Sequence, residues 1–207
     1  MKKVVVTVLA FTILLGVTSL AQTKKSNGLK AGVSIANFSG SDVSATNDKT
    51  GLSAGVFWGI DVSNQIRIQP ELLYTMRGAK GDTAGITGQI NLDYIEVPVL
   101  IKWMLPTKGT VDPSLFAGLA PALNIRAKAK GLSGGLTGEI DIKDEVKDVD
   151  FSAVFGGGFD FAAGNGNFGF DVRYAMGLSS IDDTGFDLDV KNEAWTVMLA
   201  YTIPMGQ

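Results

Sequence analysis

Seven charged side chains recur on one parity of alternating segments, and any chemistry in this chain would reside there: Arg67, Glu71, Glu96, Lys102, Asp160, Asp171 and Arg173. Glu71 stands beside Pro70 and Glu96 close to Pro98, in two segments that read as neighbouring strands. Two carboxylates on adjacent strands are the minimum equipment for general acid–base work. The interleaved Arg and Lys residues argue for a different use. Buried charges need partners, and removing one member of a buried pair costs roughly 3–5 kcal/mol. A structural ion-pair network is therefore the expected role, pore lining is the alternative, and catalysis has the least support.

The residue inventory narrows the chemistry further. Cysteine and histidine are both absent. Disulfides, thiol nucleophiles, His-based acid–base catalysis, Ser-His-Asp hydrolysis and the usual zinc ligand sets all lose a required member. Asp182, Asp183, Asp187 and Asp189 form an oxygen-rich run, but without the fixed spacing of a calcium loop they read as a solvated connection. Gly156, Gly157 and Gly158 lie inside a strand pattern with no helix after them, so they are not a phosphate cradle. No cofactor and no metal are expected. The formal charge of −3, with no basic stripe, also argues against a nucleic-acid partner.

The segments that carry the seven charges alternate with period two, which is the mark of strands. Ile66, Ile68, Leu72, Tyr74 and Met76 oppose Arg67, Gln69, Glu71 and Arg77; Ile95, Val97, Val99, Ile101 and Trp103 oppose Tyr94, Glu96 and Lys102. Phe168, Phe170, Val172, Tyr174 and Met176 oppose Asp171 and Arg173 in the cleanest alternation of the chain. On the same grounds Lys30, Asn124 and Arg126 fall on polar parities. Strands are expected at about 28–38, 51–62, 65–77, 92–105, 114–127, 149–162, 168–178 and 194–203, with Pro70 and Pro98 marking bulges or a local kink. The connections between them alternate long and short, the longest being 128–148. That rhythm predicts an all-β, eight-stranded antiparallel up-and-down transmembrane β-barrel spanning 28–203, with its apolar parity toward lipid and its charged parity inside. An eight-stranded interior is just wide enough to be filled by side chains, and Phe57, Tyr94, Leu100 and Met198 are expected to help fill it.

Trp58, Trp103 and Trp195 lie on the apolar parity, as does Tyr201. Amphipathic aromatics belong at membrane interfaces: Trp58, Trp103 and Tyr201 are expected at the periplasmic end and Trp195 at the outer end. Residues 1–21 have a basic start (Lys2, Lys3), an apolar stretch and a small-residue site at Ser19-Leu20-Ala21, which reads as a signal peptide. Short tails are expected at 22–27 and 204–207. No later run is long and apolar enough for a membrane helix, so an exported chain that enters a membrane does so as a barrel.

The run from Ile68 to Tyr74 (Ile-Gln-Pro-Glu-Leu-Leu-Tyr), then Arg77-Gly78-Ala79-Lys80, then Leu92 to Lys102 (Leu-Asp-Tyr-Ile-Glu-Val-Pro-Val-Leu-Ile-Lys) resembles the PorT-like outer-membrane β-barrel proteins of Bacteroidetes. Lys30 to Ser34 and Phe168 to Gly177 also fit, so the resemblance spans nearly all of 28–203. It implies an eight-stranded barrel in the outer membrane, in contact with outer-membrane lipid and delivered by the barrel insertion machinery. It implies no particular role. Such barrels commonly end on an aromatic residue; here Tyr201 either serves from inside the last strand or the signal is weaker. The expected function is non-enzymatic, structural or partner-binding through the outer loops, with a protein partner at those loops. The alternative is a narrow channel or small-ligand transporter that uses the charged interior.

Overall fold

The computed structural model describes residues 25–43, 46–83, 86–133 and 136–204, so the expected signal peptide at 1–21 and the last three residues lie outside the described part. Ten strands follow in order: β1 (Lys25–Ser39), β2 (Asn47–Asp61), β3 (Ile66–Thr83), β4 (Ile86–Glu96), β5 (Val99–Met104), β6 (Val111–Ser133), β7 (Leu136–Asp141), β8 (Val149–Ala163), β9 (Gly166–Gly177) and β10 (Lys191–Pro204). A 3-10 turn, Lys143–Glu145, separates β7 from β8. β1 pairs antiparallel with both β2 and β10, which closes the sheet on itself. β4 with β5, and β7 with β8, each make one stave, so the ring has 8 members in up-and-down order. Closure leaves the wall without edges, the condition for a sheet to sit in lipid.

The interruption between β4 and β5 is one of hydrogen bonding alone. Leu73 faces Glu96 on one side of it and Pro70 faces Val99 on the other, the same offset. Pro98 simply lacks an N–H to give, while its carbonyl accepts the Glu71 N–H at 2.8 Å. The bulges expected at Pro70 and Pro98 are therefore absent, and the register shifts lie elsewhere. One falls between Asp48 and Ser53 of β2, opposite Gly78, whose φ of +124° only glycine adopts without strain. The other falls between Asp93 and Tyr94, where β6 carries one extra residue, Ile125. An extra residue flips the parity beyond it. Ile125 and Arg126 are consequently both exposed, and Arg126 points outward, not inward as its spacing from Asn124 predicts.

The molecule is inside-out relative to a water-soluble sandwich. Leu199, Leu29, Leu52 and Leu119 are each more than half exposed on the outer face, while Glu71 on the inner face is 1% exposed. Aromatic pairs band the outer surface: Phe168 with Tyr201 and Phe161 with Phe168 toward the end that holds the termini, Tyr174 with Trp195 toward the opposite end. Trp58 and Trp103 lie close to the short turns at the termini end. That end, with connections 62–65, 105–110 and 164–165, is the periplasmic one by the turn-length rule of such barrels.

The other end departs from the sequence expectation. Most of 78–91 and much of 128–148 are not loop. β3 and β4 stay paired up to Thr83 and Ile86, and β6 and β7 up to Ser133 and Leu136. Two hairpins thus rise above the wall as one sheet in the order β3-β4-β6-β7. Glycine at Gly78, Gly81, Gly88, Gly131 and Gly138 had hidden the alternation.

Candidate functional site

Inward parity on β1, β3, β5, β8 and β9 brings one charged girdle together. Glu71 accepts from Lys30 Nζ at 2.7 Å, from Gln69 Nε2 at 2.7 Å and from Arg173 Nη1 at 2.7 Å. Asp171 accepts from Lys30 Nζ at 2.8 Å and from Arg173 Nη2 at 3.2 Å. Lys102 Nζ lies 3.8 Å from both Asp171 and Asp160, a charge contact without a hydrogen bond. The cations Lys30, Lys102 and Arg173 thus balance the carboxylates Glu71, Asp160 and Asp171. Phe57 underlies Lys30 at 5.0 Å, and Phe116 underlies Arg173 at 5.4 Å and Lys102 at 5.7 Å. Cations set on ring faces lose less on leaving water.

Glu96 belongs to a second level. Across the ladder it faces Leu73, and Arg77 Nη2 lies 2.7 Å from its Oε1 at ion-pair distance without hydrogen-bond alignment. Arg77 also donates to Ser152 Oγ at 3.2 Å and stands 6.0 Å from the Tyr94 ring, while its carbonyl accepts from Lys49 Nζ at 2.9 Å. Asn192 Nδ2 donates to Tyr94 Oη at 3.0 Å and to Asp150 at 2.9 Å. Glu71 and Glu96, the candidate carboxylate pair, therefore each answer to their own cation and are not joined. Arg67 stands apart again, its Nε 2.6 Å from Asp61 Oδ1. That pair lines a recess of about 1010 Å³ at the periplasmic end, with Gln65, Leu105 and Asp112.

Apolar side chains fill the lumen beside and above the girdle. Leu100, Phe116, Ala120, Val154 and Ala175 pack as one buried cluster. Nearer the outer mouth Leu92, Tyr94, Ala122 and Ala127 pack under Ile142, Val146 and Ile181. Those last three come from the connections, tied by Lys147 N–H to Ile181 O at 2.8 Å and Asp183 N–H to Glu145 O at 2.9 Å. The acidic run helps hold this cap: Asp182 accepts the Leu188 N–H, and Asp189 accepts from Lys191 and from the Ser41 N–H. The Lys191 ammonium, then the Ser41 N–H, holds the Asp189 carboxyl below the ordinary range.

Of the seven sequence-derived residues, the structure gathers Glu71, Lys102, Asp160, Asp171 and Arg173, and gives Glu96 and Arg67 ion-pair partners outside that group, although Arg67 is the cross-strand neighbour of Lys102. Lys30, which bridges the two central carboxylates, was missing from that set, as were Arg77 and Lys49. Parity pointed to Lys30 and Arg77. Lys49 sits where the sequence reads as loop, so nothing in the pattern could assign it a face.

A closed antiparallel ring, apolar outside and ion-paired inside, defines an outer-membrane β-barrel protein. Residues 20–183 match the family model described as outer membrane protein beta-barrel domain, and the chain belongs to that family. A search of curated proteins gave no match. Among solved structures, the fold is similar to Neisserial surface protein A, at 17% identity and TM-score 0.51, covering 86% of this chain and 97% of that one. It is similar to OprG of Pseudomonas aeruginosa at 9% identity and TM-score 0.54, covering 89% and 98%. The outer membrane enzyme PagL also aligns, at 14% identity and TM-score 0.41, covering 86% and 99%. The likenesses to Neisserial surface protein A and OprG carry the fold, and with the family they place the protein in the outer membrane.

Proposed function

We propose that this chain is a small non-enzymatic barrel whose lumen is a structural plug and whose raised hairpins and outer connections bind a protein partner. The observation that carries this reading is the filled interior: a neutral girdle, an apolar cluster packed against it and a cap at the outer mouth. With the interior filled, the ends are left as the working surface. The lack of histidine and cysteine supports the non-enzymatic part. The Gln69-Pro70-Glu71-Leu72 and Glu96-Val97-Pro98-Val99 motifs support a place near the PorT-like members, and the sequence of residues 1–21 supports a cleaved leader.

The second reading, a narrow channel, draws its support from the periplasmic recess, which reaches Arg67, the cross-strand neighbour of Lys102. Planar-bilayer recording separates the two. The plug reading expects no unitary conductance for wild type, and steady open steps that change with Glu96→Gln would replace it with the channel. Detergent pull-down of the tagged protein from native outer membranes, with stoichiometry measured, tests the partner; a barrel that comes down alone refutes partner binding.

A further inference from the structure

The raised sheet has one long side without a neighbour. β7 pairs with β6 and with no other described strand. Pairing on its far side resumes only lower down, where Glu145 and Lys147 meet Ile181 and Asp183. The phase of the ladder shows which groups are left over. Ile142 N–H donates to Ala127 O at 3.1 Å, so Ile140, Gly138 and Leu136 turn their peptide groups toward β6. Thr137, Glu139 and Asp141 then direct N–H and C=O outward, a ready template for another strand.

The surroundings give that strand a chemistry. The lumen-side face of the sheet beside the edge is apolar and open. Ile140 is 64% exposed, and a Cβ built at Gly131 or Gly138 would meet nothing within 4 Å. Ile90 and Ala129 continue this face into a groove of about 470 Å³. Around the edge, Asp141, Asp144, Glu145 and Asp183 are exposed carboxylates. Of the cations beside the edge, Lys128 and Lys130 hold Glu139 and Lys143 holds Asp148.

We propose that the β7 edge is a strand-addition site for an extended basic segment of another protein. That segment carries Lys or Arg toward Asp141 and apolar, β-branched residues toward Ile140. Main-chain bonds supply the pairing, and the alternation supplies the selectivity. The inference rests on the partner-binding reading and assigns that binding to one edge and one class of partner.

The test uses the full-length protein in nanodiscs and a labelled heptapeptide of alternating Lys and Ile, titrated by fluorescence anisotropy. Glu139→Pro removes an outward N–H while leaving the β6 ladder bonds in place; Glu139→Gln removes the charge alone, and heat-dependent gel mobility verifies that both remain folded. The expected result is saturable binding to wild type, weakened somewhat by Glu139→Gln as Lys128 and Lys130 lose their partner, and weakened roughly tenfold or more further by Glu139→Pro than by Glu139→Gln. Slowed exchange of the Glu139 and Asp141 amides on binding is expected as well. Equal binding to Glu139→Pro, or no saturable binding to wild type, overturns the proposal. The native pull-down separates this failure from that of the broader reading. A partner retained by Glu139→Pro but lost when the 131–138 tip is replaced overturns the edge and leaves loop-mediated binding standing, whereas no partner with wild type overturns both.

Discussion

Replacing Glu71 with alanine should be among the most damaging single changes in the barrel, and its size follows from the contacts it breaks. The carboxylate is shared by Lys30 and Arg173 and also takes the Gln69 amide. Without it, both cations turn to Asp171, which already holds Lys30 at 2.8 Å and Arg173 at 3.2 Å and has Lys102 at 3.8 Å. The girdle goes from neutral to one excess positive charge, with side chains at most 6% exposed among these partners, so little water is present to screen it. Loss of one partner of a buried pair costs roughly 3–5 kcal/mol, and two orphaned cations place this case at the upper end. Lys30→Met alone leaves Glu71 its Arg173 partner and should cost less. Glu71→Ala with Lys30→Met restores neutrality, so the pair should be non-additive by about 1–3 kcal/mol in a double-mutant cycle. Urea unfolding in detergent, read by tryptophan fluorescence and gel mobility, measures all three. A cost for Glu71→Ala below about 1 kcal/mol, additive with Lys30→Met, would match a solvent-screened pair; it would mean that water reaches the girdle and refute the plug.

Other outcomes follow from the same structure. Leu199→Arg, on the lipid face between the levels of Trp195 and Tyr201, should cost about 2–4 kcal/mol in liposome folding measurements; tolerance would mean that this surface meets water. Gly156→Val should cost about 1–3 kcal/mol by overpacking, because a Cβ there would lie 2.5 Å from the Phe116 ring and from Val172 O; an unchanged unfolding midpoint would deny the tight contact. The Glu139 carboxyl is held down to about 2 by Lys128, then Lys130. Its folded value lies below the ordinary 4.5, so whatever order it lends the β6–β7 hairpin is complete above that pH and lost as the pH falls toward 2. Amide exchange of the hairpin should show an acid transition in that window, and Glu139→Gln should remove it.

Parity made most of the wall legible. Alternation in 66–77, 95–103 and 168–178 puts Glu71, Glu96, Lys102, Asp171 and Arg173 on one face, because a closed sheet keeps its two faces distinct along every stave. Two things defeated it. The extra residue at Ile125 turned Arg126 outward, and a bulge leaves no trace in a run such as Leu-Asn-Ile-Arg-Ala. The raised hairpins are rich in glycine and charge, so their strands lacked the apolar parity that lipid or core imposes. Which charge meets which was also out of reach, since pairing across the lumen joins Lys30 to Asp171 over 141 positions of sequence. Proline misled in the opposite sense: Pro98 costs the ladder a donor yet shifts nothing.

The girdle also constrains how the barrel can enter its membrane. Its cations come from β1, β5 and β9 and its carboxylates from β3, β8 and β9, so a half-inserted hairpin would carry unmatched charge past the acyl chains. Each such charge is costly near the bilayer midplane. Only when the first and ninth strands meet across the ring is the account neutral. Insertion and ring closure must then be a single event for this chain, and mutants that unbalance the girdle should stall at the membrane surface before they fall apart within it.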